Sequence, residues 1–409
     1  MSVRMVIAFI SQKMIAVWLG PEGVAILGNV RNIIPMIESF STLGTFNGIV
    51  KYVAAYKNDK KELHKLFSTV TFFSIIASCI AFLVLFFGAD YLNKWLFLNQ
   101  YQFAFVFKIL AVSVPFLALN RIFNGVMNGL SAYKKYVNIN LFAYASSVVF
   151  LLLAVYYKSL NGALVAIALT PVLQFSILFY FYFKVLKRYI NFKNIRVKNL
   201  YGNTLVGFTI MSLVATFLGG FVDINLRTHL MKTFDAVDAG NWTGMTNISK
   251  QYLMFSSAIF TLYVIPKFAI IDNSKTFRKE ILNIYKTLLP LFAVGMLSIY
   301  FLREWVIIIA KSKEFLGMMP LFKWQLLGDF VKIASVIVAH QFLAKKMVKV
   351  FVFTEILSLI LFYSFAHLLT PSMGAEGVVL AHFLRYIVYY IVVIFLLRKH
   401  IFGNHKIKM

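Results

Sequence analysis

The sequence predicts an all-α integral membrane protein of about twelve transmembrane helices arranged in two six-helix lobes. Three observations carry that prediction. The chain is 60% hydrophobic and 14% charged, with a mean hydropathy of +0.79, whereas a soluble domain is roughly half apolar and a quarter charged. Its apolar runs suit helices of roughly 20 residues and are too continuous for the alternating ten-residue strands of a barrel. No other architecture satisfies the backbone in lipid. The basic residues, finally, gather in alternate short connections, which is how orientation is written into a membrane protein.

Taken in order, the spans fall near 1–19, 24–47, 66–88, 103–123, 137–157, 162–183, 203–226, 240–265, 283–302, 318–343, 350–369 and 376–397. Arg4 and Lys13 interrupt the first. Because Met1 opens directly onto an apolar run that many others follow, no cleavable leader is expected. The connections 51–65, 131–136, 184–201, 266–282, 344–349 and 398–409 hold 24 of the 41 Lys and Arg. The opposite set (20–23, 89–102, 158–161, 227–242, 303–316 and 370–375) holds 7. That excess places the first set and both termini in the cytoplasm. The other 10 lie within spans.

An internal repeat organises the chain. Gly162–Ala166 (Gly-Ala-Leu-Val-Ala) matches Gly377–Ala381 (Gly-Val-Val-Leu-Ala), 215 positions later. Gly28 matches Gly244 at an offset of 216, and Ala132–Lys135 resembles Ala344–Lys346 at about 211. An even number of spans per repeat keeps both halves in one orientation, the parallel-repeat design of several transporters. The lobes are accordingly expected at 1–200 and 202–409, with the basic segment 184–201 as their linker.

The motifs exclude several classes. No Gly is followed by Lys, so the chain has no P-loop. Neither His-Glu-x-x-His nor Cys-x-x-Cys occurs, and Cys79 is the single cysteine, which removes zinc-enzyme and disulfide readings. No cofactor is expected. The outward loops are too short for the platform of a membrane enzyme acting on sugars. The net charge of +26 would point to nucleic acid in a soluble protein; here it belongs to topology.

The charges inside spans are then the concentrated chemistry. A cation near the bilayer centre costs from about 2.5 kcal/mol upward, so it faces a cavity or a partner. Arg4, Lys108, Arg121, Lys286 and Lys323 lie near predicted span ends, where long side chains reach the headgroups. Lys13 and Arg31 sit roughly 10 Å inside the outer boundary, while Lys250, Lys332 and Arg385 fall near mid-span. Asp329 and Lys332 share a helix face at i, i+3, so an internal salt bridge explains them nearly as well as a ligand site does. Set against Glu38, Asp329 and Glu355, the cations leave a net positive interior that favours an anion. Phosphate or diphosphate suits Arg and Lys. Asn29, Asn32, Asn47, Asn247 and Gln251 are either partners for sugar hydroxyls or interhelical hydrogen bonders.

Three segments carry a family resemblance. Leu19-Gly20-Pro21-Glu22-Gly23-Val24-Ala25 with Gly28-Asn29-Val30-Arg31-Asn32 resembles the start of the Wzx-type polysaccharide flippases (O-antigen translocases and lipid III flippases). Gly44-Thr45-Phe46-Asn47-Gly48-Ile49-Val50-Lys51-Tyr52-Val53-Ala54 and Trp324-Gln325-Leu326-Leu327-Gly328-Asp329-Phe330-Val331-Lys332 resemble later parts of the same family. The likeness covers nearly the whole chain, apart from about a dozen residues that relatives carry before the first span. It implies membership of the multidrug/oligosaccharidyl-lipid/polysaccharide exporter superfamily, with two lobes in an inverted V and alternating access. The implied substrate is undecaprenyl-diphosphate-linked oligosaccharide, passed from the cytoplasmic to the periplasmic leaflet without enzymatic chemistry. Membrane lipids and the polysaccharide polymerase machinery are its expected partners. Arg31, Asp329 and Lys332 lie in the matched motifs; Lys13, Lys250, Arg385, Asn29, Asn47 and Gln251 are substrate candidates from burial and polarity. Asp329 and Glu355 are the candidate ion carriers. Two alternatives stay open: an ion-coupled small-molecule exporter, which for cationic drugs calls for a net acidic interior, and a polysaccharide polymerase or ligase, which calls for a long charged outward loop.

Overall fold

The computed structural model describes residues 2–98, 100–130, 133–189, 212–345 and 347–403, with residues 202, 205 and 209. The expected linker 184–201 and most of 203–211 lie largely outside the described residues, as do parts of 131–136 and the tail beyond 403. All the described elements are helical, and they run in the order α1 (2–19), α2 (21–40), α3 (Phe46–Tyr56), α4 (Lys60–Phe87), α5 (Ala89–Phe97), α6 (Ala104–Gly129), α7 (133–158), α8 (160–189), α9 (212–233), α10 (236–270), α11 (Ser274–Phe301), α12 (Arg303–Ala310), α13 (Leu321–Ala344), α14 (348–373), α15 (375–396) and α16 (Arg398–Phe402).

Twelve of these are long, and they account for the twelve spans. Three hairpins run through single residues of positive φ: Gly20 (62°) joins α1 to α2, Ser159 (51°) joins α7 to α8, and Gly374 (56°) joins α14 to α15. A 49-residue run such as Val348–Leu396 would reach roughly 70 Å as one helix, more than twice the hydrocarbon core. The break at Gly374 makes two spans of it. Length and apolarity alone single out eight helical runs as membrane-crossing, two of them these broken pairs at Gly20 and Gly374. The remaining two spans, α9 and α10, are more polar and carry π-helical turns at Val214–Leu218 and Phe260–Val264; such turns are frequent at functional positions. Ile75, Ile80, Leu83, Val84 and Phe87 on α4, like Leu291, Val294, Leu297 and Phe301 on α11, are exposed. Bands of this size belong against lipid. The chain is a multi-pass membrane protein.

The expected repeat holds element by element. From α4 to α15, each helix of the first half has a counterpart about 215 positions later: α4 with α11, α5 with α12, α6 with α13, α7 with α14 and α8 with α15. Even details recur. Asp59 caps α4 through the amides of Lys61 and Glu62, and Asn273 caps α11 through that of Thr276. The turns at Ser159 (ψ −137°) and Gly374 (ψ −137°) share one backbone conformation at an offset of 215.

Some boundaries shift. The span expected at 24–47 ends at Phe40, in a turn over 41–45 where Leu43 and Gly44 have positive φ. The connection expected at 227–242 shrinks to Phe234 and Asp235, because Arg227 and Thr228 are buried within α9 rather than solvated. The expected loops 89–102 and 303–316 hold the short helices α5 and α12. Both begin with an acidic first turn and carry Trp95 and Trp305, as suits the membrane interface.

Residue contacts separate two compact units. The first comprises the residues to Leu19 with Ile26–Ile224, and the second Gly20–Ala25 with the chain from Asn225. Within the first, a core of Ile49, Val53, Leu66, Phe67, Phe123 and Val126 lets α3 lie close on α6. A Cβ at Gly129 would stand 2.8 Å from the Val50 carbonyl and the Val53 Cβ, so glycine permits the approach. Within the second, Gly328 does the same for α13 on α15, where a Cβ would meet the His382 ring at 2.5 Å.

Candidate functional site

The polar chemistry of the second unit converges on Asp329. It lies on the buried side of α13 with none of its surface exposed. A carboxylate there must be hydrogen-bonded, and it is. Its Oδ2 accepts from Ser249 Oγ at 2.5 Å, Tyr252 OH at 2.5 Å and Gln325 Nε2 at 3.0 Å, and its Oδ1 lies 3.0 Å from His382 Nε2. Helical periodicity explains the supply of donors. Ser249 and Tyr252 stand at i, i+3 on α10, and Gln325 stands one turn before Asp329 on α13, so three donors reach one oxygen from two helices.

The network continues along α15. Arg385 Nη2 lies 3.1 Å from His382 Nδ1, one turn further on. Its guanidinium rests on the rings of Phe362 (4.0 Å) and Tyr386 (4.6 Å), and Lys332 Nζ lies 5.6 Å from the Tyr386 centroid. Arg385 Nε is buried with no hydrogen-bond partner among the described residues. Neither Arg385 nor Lys332 has a carboxylate within 4 Å among them. Glu355, partly exposed on α14, acts on both only at longer Coulombic range. Two cations, partly exposed and held by ring faces rather than by carboxylates, make a position that an anion can enter.

The sequence-predicted residues divide accordingly. Asp329, Lys332, Arg385 and Glu355 come together. The internal salt bridge entertained for Asp329 and Lys332 is replaced: His382, Ser249, Tyr252 and Gln325 take the carboxylate, and Lys332 turns to Tyr386. Lys250 is exposed and Gln251 partly exposed on α10. In the first unit, Arg31 is partly exposed on α2, with no carboxylate within 4 Å among the described residues. Lys13 is partly exposed on α1. Asn29 is fully buried and donates to the Leu96 carbonyl at 3.2 Å, close to the end of α5, where carbonyls need outside partners. Asn47 is exposed on α3, beyond the turn that ends α2. Arg121, expected to reach the headgroups, instead pairs with Glu38 at 3.4 Å and covers the Phe46 ring.

Ser249, Tyr252, Gln325 and His382 were not anticipated as site residues. Their signal was the i, i+3 and i, i+4 spacing of polar residues within spans. Arg227 was also missed, having been assigned to a loop: it is buried, donates Nε to Thr243 Oγ1 at 2.8 Å, and lies over the Trp242 ring.

Fold and site together define a multi-pass membrane protein of twelve spans in two repeats, with a buried acid–histidine network beside two cations that have no carboxylate within 4 Å among the described residues. Residues 2–271 match the family described as polysaccharide biosynthesis protein, and the chain belongs to that family. It is 27% identical over 387 residues to the lipid III flippase of Escherichia coli K12, covering 92% of this chain and 91% of that protein. Among solved structures it is similar to the lipid II flippase MurJ in an inward closed conformation (TM-score 0.75, 14% identity, 97% and 86% of the two chains). A multidrug resistance MATE transporter of the MOP superfamily, inward-facing, superposes with a TM-score of 0.72 at 14% identity over 98% and 95%. These two likenesses are of fold, and the fold is the two-lobe, twelve-helix one of that superfamily.

Proposed function

We propose that this protein is a flippase for undecaprenyl-diphosphate-linked oligosaccharide, the repeat unit of O-antigen or a related surface polysaccharide. The observation that carries this reading is the relatedness to the lipid III flippase along almost the whole of both chains. The chemistry of the second unit fits it. A diphosphate presents paired anionic oxygens, and Arg385 with Lys332 supplies a guanidinium fork and a compact ammonium. Arg31, in the first unit, is a separate candidate for binding an anion.

The direction is from cytoplasmic to periplasmic leaflet of the inner membrane, with both termini in the cytoplasm and the polyprenyl tail remaining in lipid. Binding the head offsets the cost of carrying charge through hydrocarbon. Each six-helix repeat acts as a lobe, 1–200 and 202–409, and the carrier presents its site to the two leaflets in turn. With no nucleotide motif in the sequence, the work comes from an ion gradient, the membrane potential or substrate flux. Asp329 and Glu355 are the candidate ion carriers, and polysaccharide polymerase machinery is the partner that would consume the delivered unit.

The test is reconstitution into liposomes with a labelled polyprenyl-diphosphate oligosaccharide, scoring access to an enzyme outside. Protein-dependent transfer of the unchanged lipid-linked unit is expected; new glycosidic bonds instead would identify a polymerase or ligase. Efflux of a cationic dye without lipid transfer would identify a drug exporter. In cells, Arg31→Gln is expected to lower surface polysaccharide tenfold or more at wild-type protein level. Normal polysaccharide in that variant would remove Arg31 from the site.

A further inference from the structure

We propose that His382 is a proton-binding site linked to an anion-binding position at Arg385, so that uptake of the diphosphate head and uptake of one proton favour each other. The identity of the anion rests on the flippase reading; the linkage rests on hydrogen-bond accounting.

A neutral imidazole has one N–H donor and one lone pair, and an imidazolium has two donors. Asp329 Oδ1, 3.0 Å from His382 Nε2, belongs to a carboxylate that already accepts three bonds at Oδ2, so Nε2 carries the hydrogen and donates. Arg385 is a donor only. With Arg385 Nη2 at 3.1 Å from Nδ1, Nδ1 must be the acceptor. Both contacts are satisfied by one species, neutral imidazole protonated at Nε2. A second proton would have to go to Nδ1, where it would face the N–H of Arg385. Proton on Nδ1 and Arg385 at Nδ1 are mutually exclusive.

The exclusion becomes a linkage once Arg385 has somewhere else to go. Its guanidinium is held by two ring faces, this bond and a longer one from Nη2 to Tyr386 OH at 3.4 Å. Among the described residues it has no carboxylate within 4 Å, and its buried Nε has no partner. An anion that draws the guanidinium away leaves Nδ1 bare, while Asp329 at the opposite ring nitrogen favours the imidazolium. Conversely, a proton arriving first releases Arg385 for the anion. Linkage of this kind is reciprocal.

The ring itself is fixed. Gly328 lets α13 close on it, since a Cβ there would stand 2.5 Å from Cδ2, and Tyr386 packs edge-on at 5.0 Å. The charged and titratable groups around His382 are Asp329 and Lys332 from α13, Glu355 from α14 acting through Arg385, Tyr252 from α10 through Asp329, and Arg385 and Tyr386 on α15.

The experiment uses the full-length protein in lipid nanodiscs with geranyl diphosphate as probe. Calorimetry in two buffers of different ionisation enthalpy counts the protons taken up per bound probe. The wild type is expected to take up a proton, approaching about one, and to bind more tightly as pH falls, by at most about tenfold per pH unit. His382→Gln, which keeps an amide donor for Asp329 and a carbonyl for Arg385, is expected to bind with no uptake and no such pH dependence. Arg385→Met is expected to lose tenfold or more in affinity, and whatever binding Lys332 retains should carry no proton. Three results each overturn the proposal: no binding by wild type, binding without uptake, or uptake that persists in Arg385→Met. The last needs no folded His382 variant. Leaflet transfer is read separately. Transfer without proton linkage removes the role of His382 and leaves the flippase reading standing, whereas linkage without transfer does the reverse.

Discussion

In the first repeat, α6 is fastened to α8 by Ser113 and Asn120, which donate to the carbonyls of Ala168 and Pro171 at 2.7 and 2.8 Å. In the second repeat, the corresponding α13 is fastened to α15 by Asp329 and His382 at 3.0 Å. The positions 215 before Asp329 and His382 are Val114 and Ile167, both buried. A hydroxyl or amide bonded to a backbone carbonyl has one state at every physiological pH. An acid–histidine pair has several. The duplicated backbone is therefore common scaffolding; the second copy fastens this contact with a group that can change charge, where the first uses a hydroxyl and an amide.

The largest effect that tests this contrast comes from Asp329→Ala, which leaves Ser249, Tyr252, Gln325 and His382 without their acceptor. Loss of one partner from a buried charged network costs about 3–5 kcal/mol. Ser113→Ala, at the matching helix contact of the first repeat, removes one neutral bond and costs about 1 kcal/mol. Thermal unfolding of the purified proteins in one detergent should show a clearly lower midpoint for the first; equal midpoints would erase the distinction between the repeats. Gly328→Val comes next, because its side chain must displace the His382 ring and the Phe383 backbone. Overpacking of this kind costs about 1–3 kcal/mol, seen in the same melts.

The two matching turns give a smaller, sharper comparison. Gly374→Ser puts a Cβ 2.5 Å from Asp238 Oδ2, which also accepts from the Ala375 amide at 2.9 Å. It should destabilise by about 1–2 kcal/mol, given the left-handed backbone. Ser159→Gly relieves the same conformation in the first repeat and should stabilise by about 1 kcal/mol or less. A destabilised Ser159→Gly protein would mean that the serine side chain does something in that turn beyond tolerating it.

Much of this was legible in the sequence. Apolar runs of span length, basic residues in alternate connections and three matches near one offset yield twelve helices in two repeats, because bilayer thickness and chain duplication both act through sequence distance. The boundary errors have a physical source too. Arg227 reads as a loop residue by charge, yet Thr243 and Trp242 accommodate it inside. The site was only half visible. Arg385, Lys332 and Glu355 stand out because charge in a span is rare, whereas His382, Ser249 and Tyr252 are ordinary residues there. What makes them a network is contact across 53 to 80 positions of chain, and local spacing carries no record of such contacts.

The one-residue turns at Gly20, Ser159 and Gly374 have a consequence for how such a carrier can diversify. Proteins that recognise varied ligands usually keep their variation on loops, where insertions disturb little. At these three hairpins there is no loop to lengthen. A new cargo must then be accommodated by changing side chains on helices that also hold the bundle together, so each gain in selectivity is a packing problem at the same time.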